Sequence, residues 1–185
     1  QSTPDPTGVI DEVNVDPLYS TSMIDWKVNA TNPTTNVTYG TKSTQLDKNA
    51  ATSKKDDGTF TTNLTGLTPG IRYYFAISAS GSDGKTGNYS GTIITRGFPV
   101  VLTITENNIP AKNAQIKIGS NFNRAASADG KVAAGLASGS YSGTITTDTA
   151  SLTINLTVDA KAIPADGKAP PPQAFASNLT SSPLV

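Results

Sequence analysis

The side chains that most often carry chemistry are scarce in this 185-residue chain, and those present must stand close enough to act together. Histidine is absent, which removes the usual base for a serine nucleophile and the commonest neutral metal ligand. Cysteine is absent as well, so disulfide stapling, thiol catalysis and thiolate metal sites are excluded. Paired carboxylates could serve glycoside hydrolysis, yet glutamate occurs only at Glu12 and Glu106. Asp56, Asp57, Asp83, Asp129 and Asp166 stand in Gly-bearing stretches where turn geometry, rather than acid-base work, accounts for them. No spacing singles out a Ser/Lys pair. Gly81 to Gly84 falls between strand patterns with no helix start to present amides to an anion, and no EF-hand or nonapeptide calcium array occurs. The expectation is a chain that is not an enzyme, with no catalytic residues, no cofactor and no metal.

The formal net charge is zero and the basic residues are scattered singly, so the sequence offers no electrostatic footprint for nucleic acid or an anionic membrane. No apolar run approaches the roughly 18 residues that a membrane span needs. Hydrophobic residues make up 36% and charged residues 15%, with Thr, Ser, Asn and Gly filling the remainder, a balance that suits strands and turns. The fold class expected is all-β. A surface so rich in Thr, Ser and Asn points to the cell exterior, and a start at Gln1 rather than Met fits a trimmed leader or an artificial boundary.

The elements that would position any site follow from alternation. Val9 to Val15 reads as a first strand ended by Asp16-Pro17. In Ser22 to Val28, Ile24, Trp26 and Val28 share one face, which turns the only Trp of the chain inward. Asn29 to Thr35 reads as a turn, Val37 and Tyr39 open a third strand, Lys48 to Gly58 reads as a mobile polar loop, and Phe60 to Leu64 resumes the sheet. The stretch from Leu64 to Ala79 organises this half of the chain: a Pro69-Gly70 corner leads into a strand whose Tyr73, Phe75, Ile77 and Ala79 share a face. Tyr73 follows the corner closely enough for its hydroxyl to bond back to the corner's backbone while its ring stays in the core. A hairpin at Gly81 to Lys85 and a strand from Ser90 to Thr95 complete the pattern.

Leu64, Leu67, Pro69, Gly70, Tyr73 and Phe75, together with Trp26, resemble the signature of a fibronectin type III domain. The resemblance covers residues 4–96 and implies a sandwich of about 100 residues with a tyrosine corner. Such domains serve as spacers, adhesins and receptors alike, so the resemblance bears on the fold more than on the task.

A second unit is expected over 97–185, abutting the first because Arg96-Gly97 leaves no room for a floppy linker. Val100, Leu102 and Ile104 alternate inward, as do Ala114, Ile116 and Ile118. Ala128-Asp129-Gly130-Lys131-Val132 makes a turn, Ala137-Ser138-Gly139-Ser140-Tyr141 follows, and Leu152, Ile154, Leu156 and Val158 give the most regular alternation in the chain. This succession resembles the carboxypeptidase regulatory-like and prealbumin-like sandwiches, and the whole reads as two tandem β-sandwiches. Some pilin sandwiches that the second unit distantly resembles carry a Lys–Asn isopeptide link, but alternation turns Lys117 outward, away from any such bond. Residues 160–173, with Pro164, Pro170, Pro171 and Pro172, read as an extended arm, and 174–184 as a terminal strand anchored by Phe175, Ser177 and Leu179. That strand has two destinations: its own sheet, or the sheet of a neighbouring subunit.

Glycosylation sequons stand at Asn29, Asn36, Asn63, Asn88, Asn155 and Asn178. Tyr19, Tyr74 and Tyr89 are the expected exposed contacts for a carbohydrate or protein ligand. The leading expectation is a non-enzymatic extracellular stalk, pilus-like fibre or adhesin subunit whose partners are other copies or other surface proteins. The alternatives are a glycan- or protein-binding ectodomain and the accessory domains of a secreted hydrolase.

Overall fold

The structure is a computed structural model that describes residues 2–181, and all its regular structure is β. Chain contacts divide it into two compact units, Gln1–Arg96 and Gly97–Val185, each with its own core.

The first unit holds β1 (Ile10–Pro17), β2 (Ser22–Val28), β3 (Thr34–Gly40), β4 (Lys48–Ala50), β5 (Ser53–Lys54), β6 (Phe60–Leu64), β7 (Arg72–Ser80) and β8 (Thr86–Ile94). Two four-stranded antiparallel sheets, ordered β1-β2-β6-β5 and β4-β3-β7-β8, supply opposite sides of one core, an immunoglobulin-type sandwich. Alternation does the sorting: Ile24, Trp26, Phe60 and Leu64 come from one sheet, and Val37, Tyr73, Phe75, Ile77 and Ile93 from the other. Trp26 is 0% exposed, stacks on Phe60 at 6.1 Å between ring centroids, and donates from its indole N–H to the Thr35 hydroxyl at 3.2 Å.

Four segments depart from the sequence reading. β1 does not stop before Asp16-Pro17 but runs through them, paired to Met23 and Ser22. The 48–58 stretch is not wholly loop. Lys48–Ala50 pairs with β3 and Ser53–Lys54 pairs with β6, so the chain changes sheet between them. The buried Thr62 holds that crossing by donating from its hydroxyl to the Ala51 carbonyl at 2.7 Å. Two- and three-residue strands are too short to show alternation, which is why the segment looks featureless in sequence. The third strand begins earlier, at Thr34, and the last at Thr86, because in each case pairing with β7 extends the strand outward.

The second unit holds β9 (Phe98–Glu106), β10 (Ile109–Pro110), β11 (Gln115–Ile118), β12 (Phe122–Ala125), β13 (Lys131–Leu136), β14 (Gly139–Thr146), β15 (Ser151–Val158) and β16 (Gln173–Leu179). One sheet is built on β9, with β13 and β10 on one flank and β16 on the other. The second runs β12-β11-β14-β15. The β9–β10 hairpin turns through Asn107 and Asn108, both at positive φ (51° and 66°), the backbone that a two-residue hairpin loop demands and Asn tolerates. Val100, Leu102 and Ile104 meet Ile116, Ile118, Ile145, Ile154, Leu156 and Val158 in a core made only of apolar side chains. Lys117 lies on the exposed face of β11, away from that core.

The terminal strand lies in its own sheet. β16 runs parallel to β9 from Gln173 opposite Val100 to Leu179 opposite Glu106, and Leu179 is 2% exposed. Of the two destinations open in the sequence, its own sheet is the one that β16 occupies here. The 14 residues between Val158 and Gln173 can span about 45 Å when extended, ample to return the chain along the free flank of β9. The strand ends at Leu179, and residues 182–184 of the expected span lie outside the described residues.

Candidate functional site

The carboxylates show what the fold does with its charged oxygen atoms. Asp57 accepts the Thr59 N–H at 2.9 Å and Asp166 the Lys168 N–H at 3.1 Å, so each closes its own turn and is held below the usual carboxylate range by that bond. Asp129 is lowered by the Ser127 hydroxyl and Glu106 by the Thr149 hydroxyl. For Asp5 and Asp83 burial is the largest single influence and acts upward, but the donors aimed at them outweigh it and both end lowered. Asp5 takes the Ile10 N–H at 2.8 Å, the Thr7 N–H at 3.0 Å and the Thr7 hydroxyl at 2.7 Å. Gly87 makes room for it: a Cβ there would stand 2.2 Å from Asp5 Oδ2. A general acid needs its pKa raised toward neutrality, and these six groups are pushed the other way.

The Thr68–Ile71 corner is locked from two sides. Tyr73, 4% exposed, accepts the Thr68 N–H on its hydroxyl at 2.9 Å. Thr95, 2% exposed, donates to the Thr68 carbonyl at 2.6 Å and accepts the Ile71 N–H at 3.0 Å. Thr95 was invisible in sequence, since its partners lie 24 to 27 positions away. The second unit has a counterpart in Tyr141, whose hydroxyl donates to the Ala137 carbonyl at 2.8 Å, and partial burial pushes that phenol up.

The three tyrosines expected as ligand contacts are not equivalent. Tyr19 is 9% exposed, a correction to its expected exposure. Its turn is strapped down on both sides, because Arg96 N–H donates to the Leu18 carbonyl and Leu67 N–H to the Ser20 carbonyl, each at 2.9 Å. Tyr89 is half-buried on the inner face of β8, where it stacks on Phe75 at 5.9 Å. Tyr74 alone belongs to the outer face of β7 and is partly exposed.

Further along that same outer face the strands assemble a polar surface. Register places Asn36, Ser78 and Asn88 side by side across β3, β7 and β8, with Thr34, Ser80 and Thr86 in the next row. The two rows line a shallow depression of about 380 Å³ that carries no charged side chain. All six sequon asparagines are exposed. Two have amides already engaged: Asn29 Nδ2 donates to the Gly8 carbonyl, and Asn178 Nδ2 donates to Asn108 Oδ1. Among the described residues no three Asp or Glu side chains stand together as metal ligands.

No protein-family model matches the chain, and no curated protein matches it. Among solved structures, it is similar to the chicken CNTN1 FN1–FN3 domains at 15% identity, with a TM-score of 0.31, over 74% of this chain and 59% of that one. It thus spans about three-fifths of that structure's length. It is also similar to the structure of Dpr11 IG1 bound to DIP-gamma IG+IG2, at 8% identity and a TM-score of 0.34, over 89% of this chain and 99% of that one. The DIP-gamma IG1+IG2 structure aligns at 9% identity and a TM-score of 0.32, over 94% and 99% of the two chains. Each unit is a sandwich by its own strand order and its own core.

Proposed function

We propose that this chain is a non-enzymatic structural module of the cell exterior, a segment of a surface stalk, fibre or adhesin whose partners are other copies or other surface proteins. The observation that carries the reading is the use made of the carboxylates. Asp5, Asp57, Asp83, Asp129, Asp166 and Glu106 are committed to turns and straps and stabilised in the ionised form, which serves folding and opposes proton transfer. Both tyrosine locks likewise act on chain corners. Immunogold labelling of intact cells of the source organism tests the proposal. Gold on the surface or along appendages is expected, and label that appears only after permeabilisation overturns it.

A second reading, a glycan-binding ectodomain, is favoured by the uncharged depression on the outer face of β3, β7 and β8, a face that Tyr74 shares further along β7, since neutral sugars are held by amides and hydroxyls. A glycan array on the wild type and on Tyr74→Ala decides it. Binding that the substitution abolishes supports the reading, and an array without a Tyr74-dependent hit removes it.

A further inference from the structure

Unpaired strand edges are templates for another chain, and folds that stay apart defend them with charges, prolines, bulges, short lengths or covers. The edges here are defended unequally. β1 carries Asp11, Glu12, Asp16 and Pro17, and its register breaks between Asp11 and Asn14, with Glu12 at φ 49°. β4 and β5 are three and two residues long, and β4 begins with Lys48 while β5 ends with Lys54. β8 is covered by the amino-terminal segment, where Thr3 and Ser90 exchange main-chain hydrogen bonds at 2.8 and 3.2 Å. β12 is four residues long and holds Arg124, whose guanidinium donates to the Ala133 carbonyl of β13 at 3.0 Å. β16 follows directly on three prolines, and the Gln173 amide closes its start by bonding both main-chain groups of Asp159 at 2.8 Å.

β15 has none of these devices along its own length, the Gln173 bridge to Asp159 lying just past its end. Its eight residues, Ser151 to Val158, contain no charge and no proline, and it pairs with β14 in unbroken register from Thr146–Ser151 to Gly139–Val158. It ends its sheet, so its other flank has no strand. We propose that β15 is the docking edge for a second copy of this chain, two β15 strands pairing antiparallel about a two-fold axis so that two four-stranded sheets continue as one of eight. This goes beyond the structural-module reading and does not depend on it.

The occupant follows from self-complementarity. In a two-fold antiparallel pair, outer-face residues of β15 meet outer-face residues of β15, so Ser151, Thr153, Asn155 and Thr157 stand opposite one another. The same side-chain types already face each other within the chain: Thr144 opposite Thr153, Ser142 opposite Asn155, and Ser140 opposite Thr157, the last pair sharing a hydroxyl hydrogen bond at 3.4 Å. A zero net charge leaves no long-range repulsion between copies, and the half-buried Leu152 on the core face would be covered.

Sedimentation velocity on the full, unglycosylated chain over a wide concentration range tests this. The native chain should show a monomer–dimer equilibrium. Thr153→Lys with Asn155→Lys, or Thr153→Glu with Asn155→Glu, places like charges opposite each other and should raise the dissociation constant about tenfold or more. Both pairs lie on exposed positions, so unchanged melting temperatures check that the variants are folded. An equimolar mixture of the Lys and Glu variants should restore the dimer. In the native chain, exchange of β15 amides should slow as concentration rises. A native chain that stays monomeric to millimolar concentration, charge variants that dimerise as the native chain does, or a mixture that stays monomeric would each overturn the proposal.

Discussion

Replacing Tyr73 by Phe deletes one oxygen from a ring that is 4% exposed and leaves the Thr68 N–H, now bonded at 2.9 Å, without its acceptor. A lost hydrogen bond costs about 0.5–1.5 kcal/mol when water replaces the partner and about 1–3 kcal/mol when it cannot. Thr68 itself is exposed while the bond is half-covered, so the structure places the loss between these cases, about 1–2 kcal/mol. In a unit of about 100 residues each kcal/mol at the midpoint moves the melting temperature by about 4–8 °C, so a fall of roughly 5–15 °C is expected. The assay is built into the chain: Trp26 is the only Trp and lies in the core of the same unit, so its fluorescence follows that unit's unfolding. Tyr74→Phe, on the outer face one residue on, is the control and should change stability by no more than about 0.5 kcal/mol. If Tyr73→Phe melts with the wild type, or Tyr74→Phe falls as far, the hydroxyl does not lock the corner and the reasoning fails.

Three further outcomes follow from the same geometry. Asp5 has a lowered pKa in the folded chain, so its contribution is present above its unfolded value of about 3.9 and is lost as pH falls through the folded value. Acid titration of Trp26 fluorescence should therefore show the first unit weakening below about pH 4, and Asp5→Asn should flatten that dependence while lowering stability at pH 7. Leu179→Ala removes a side chain that is 2% exposed at the end of β16 and should cost about 2–5 kcal/mol, read by calorimetry as a lower transition for the second unit. Thr95→Val keeps shape but deletes the hydroxyl that bonds Thr68 and Ile71, and should lower the Trp26-detected midpoint by an amount comparable to Tyr73→Phe.

What could be read from the sequence is what local periodicity encodes. Trp26, Tyr73, Phe75, Ile77 and the Leu152–Val158 series are sorted by two-residue alternation, and the Pro69-Gly70 corner announces its own geometry. What could not be read depends on partners distant in the chain. Tyr19 carries no local sign of burial, because the straps on its turn come from Leu67 and Arg96. Asp5 stands ahead of the first strand pattern with no local sign of burial, until Gly87 is seen to leave space for it. The β4–β5 crossing is hidden by its brevity, and the parallel seat of β16 by an arm long enough to reach either flank of a sheet. For the candidate site, sequence marks the sequons and the tyrosines, but only strand register shows that Asn36, Ser78 and Asn88 form one row across β3, β7 and β8.

The most direct test of the claim that the acidic groups serve the fold is a carbon-detected NMR titration of the side-chain carboxyls of Asp5, Asp57, Asp83, Asp129, Asp166 and Glu106. The account predicts that all six titrate below their ordinary values of about 3.9 for Asp and 4.3 for Glu. Any one of them titrating near neutrality would contradict it, and would place an acid-base group where the structure has a turn.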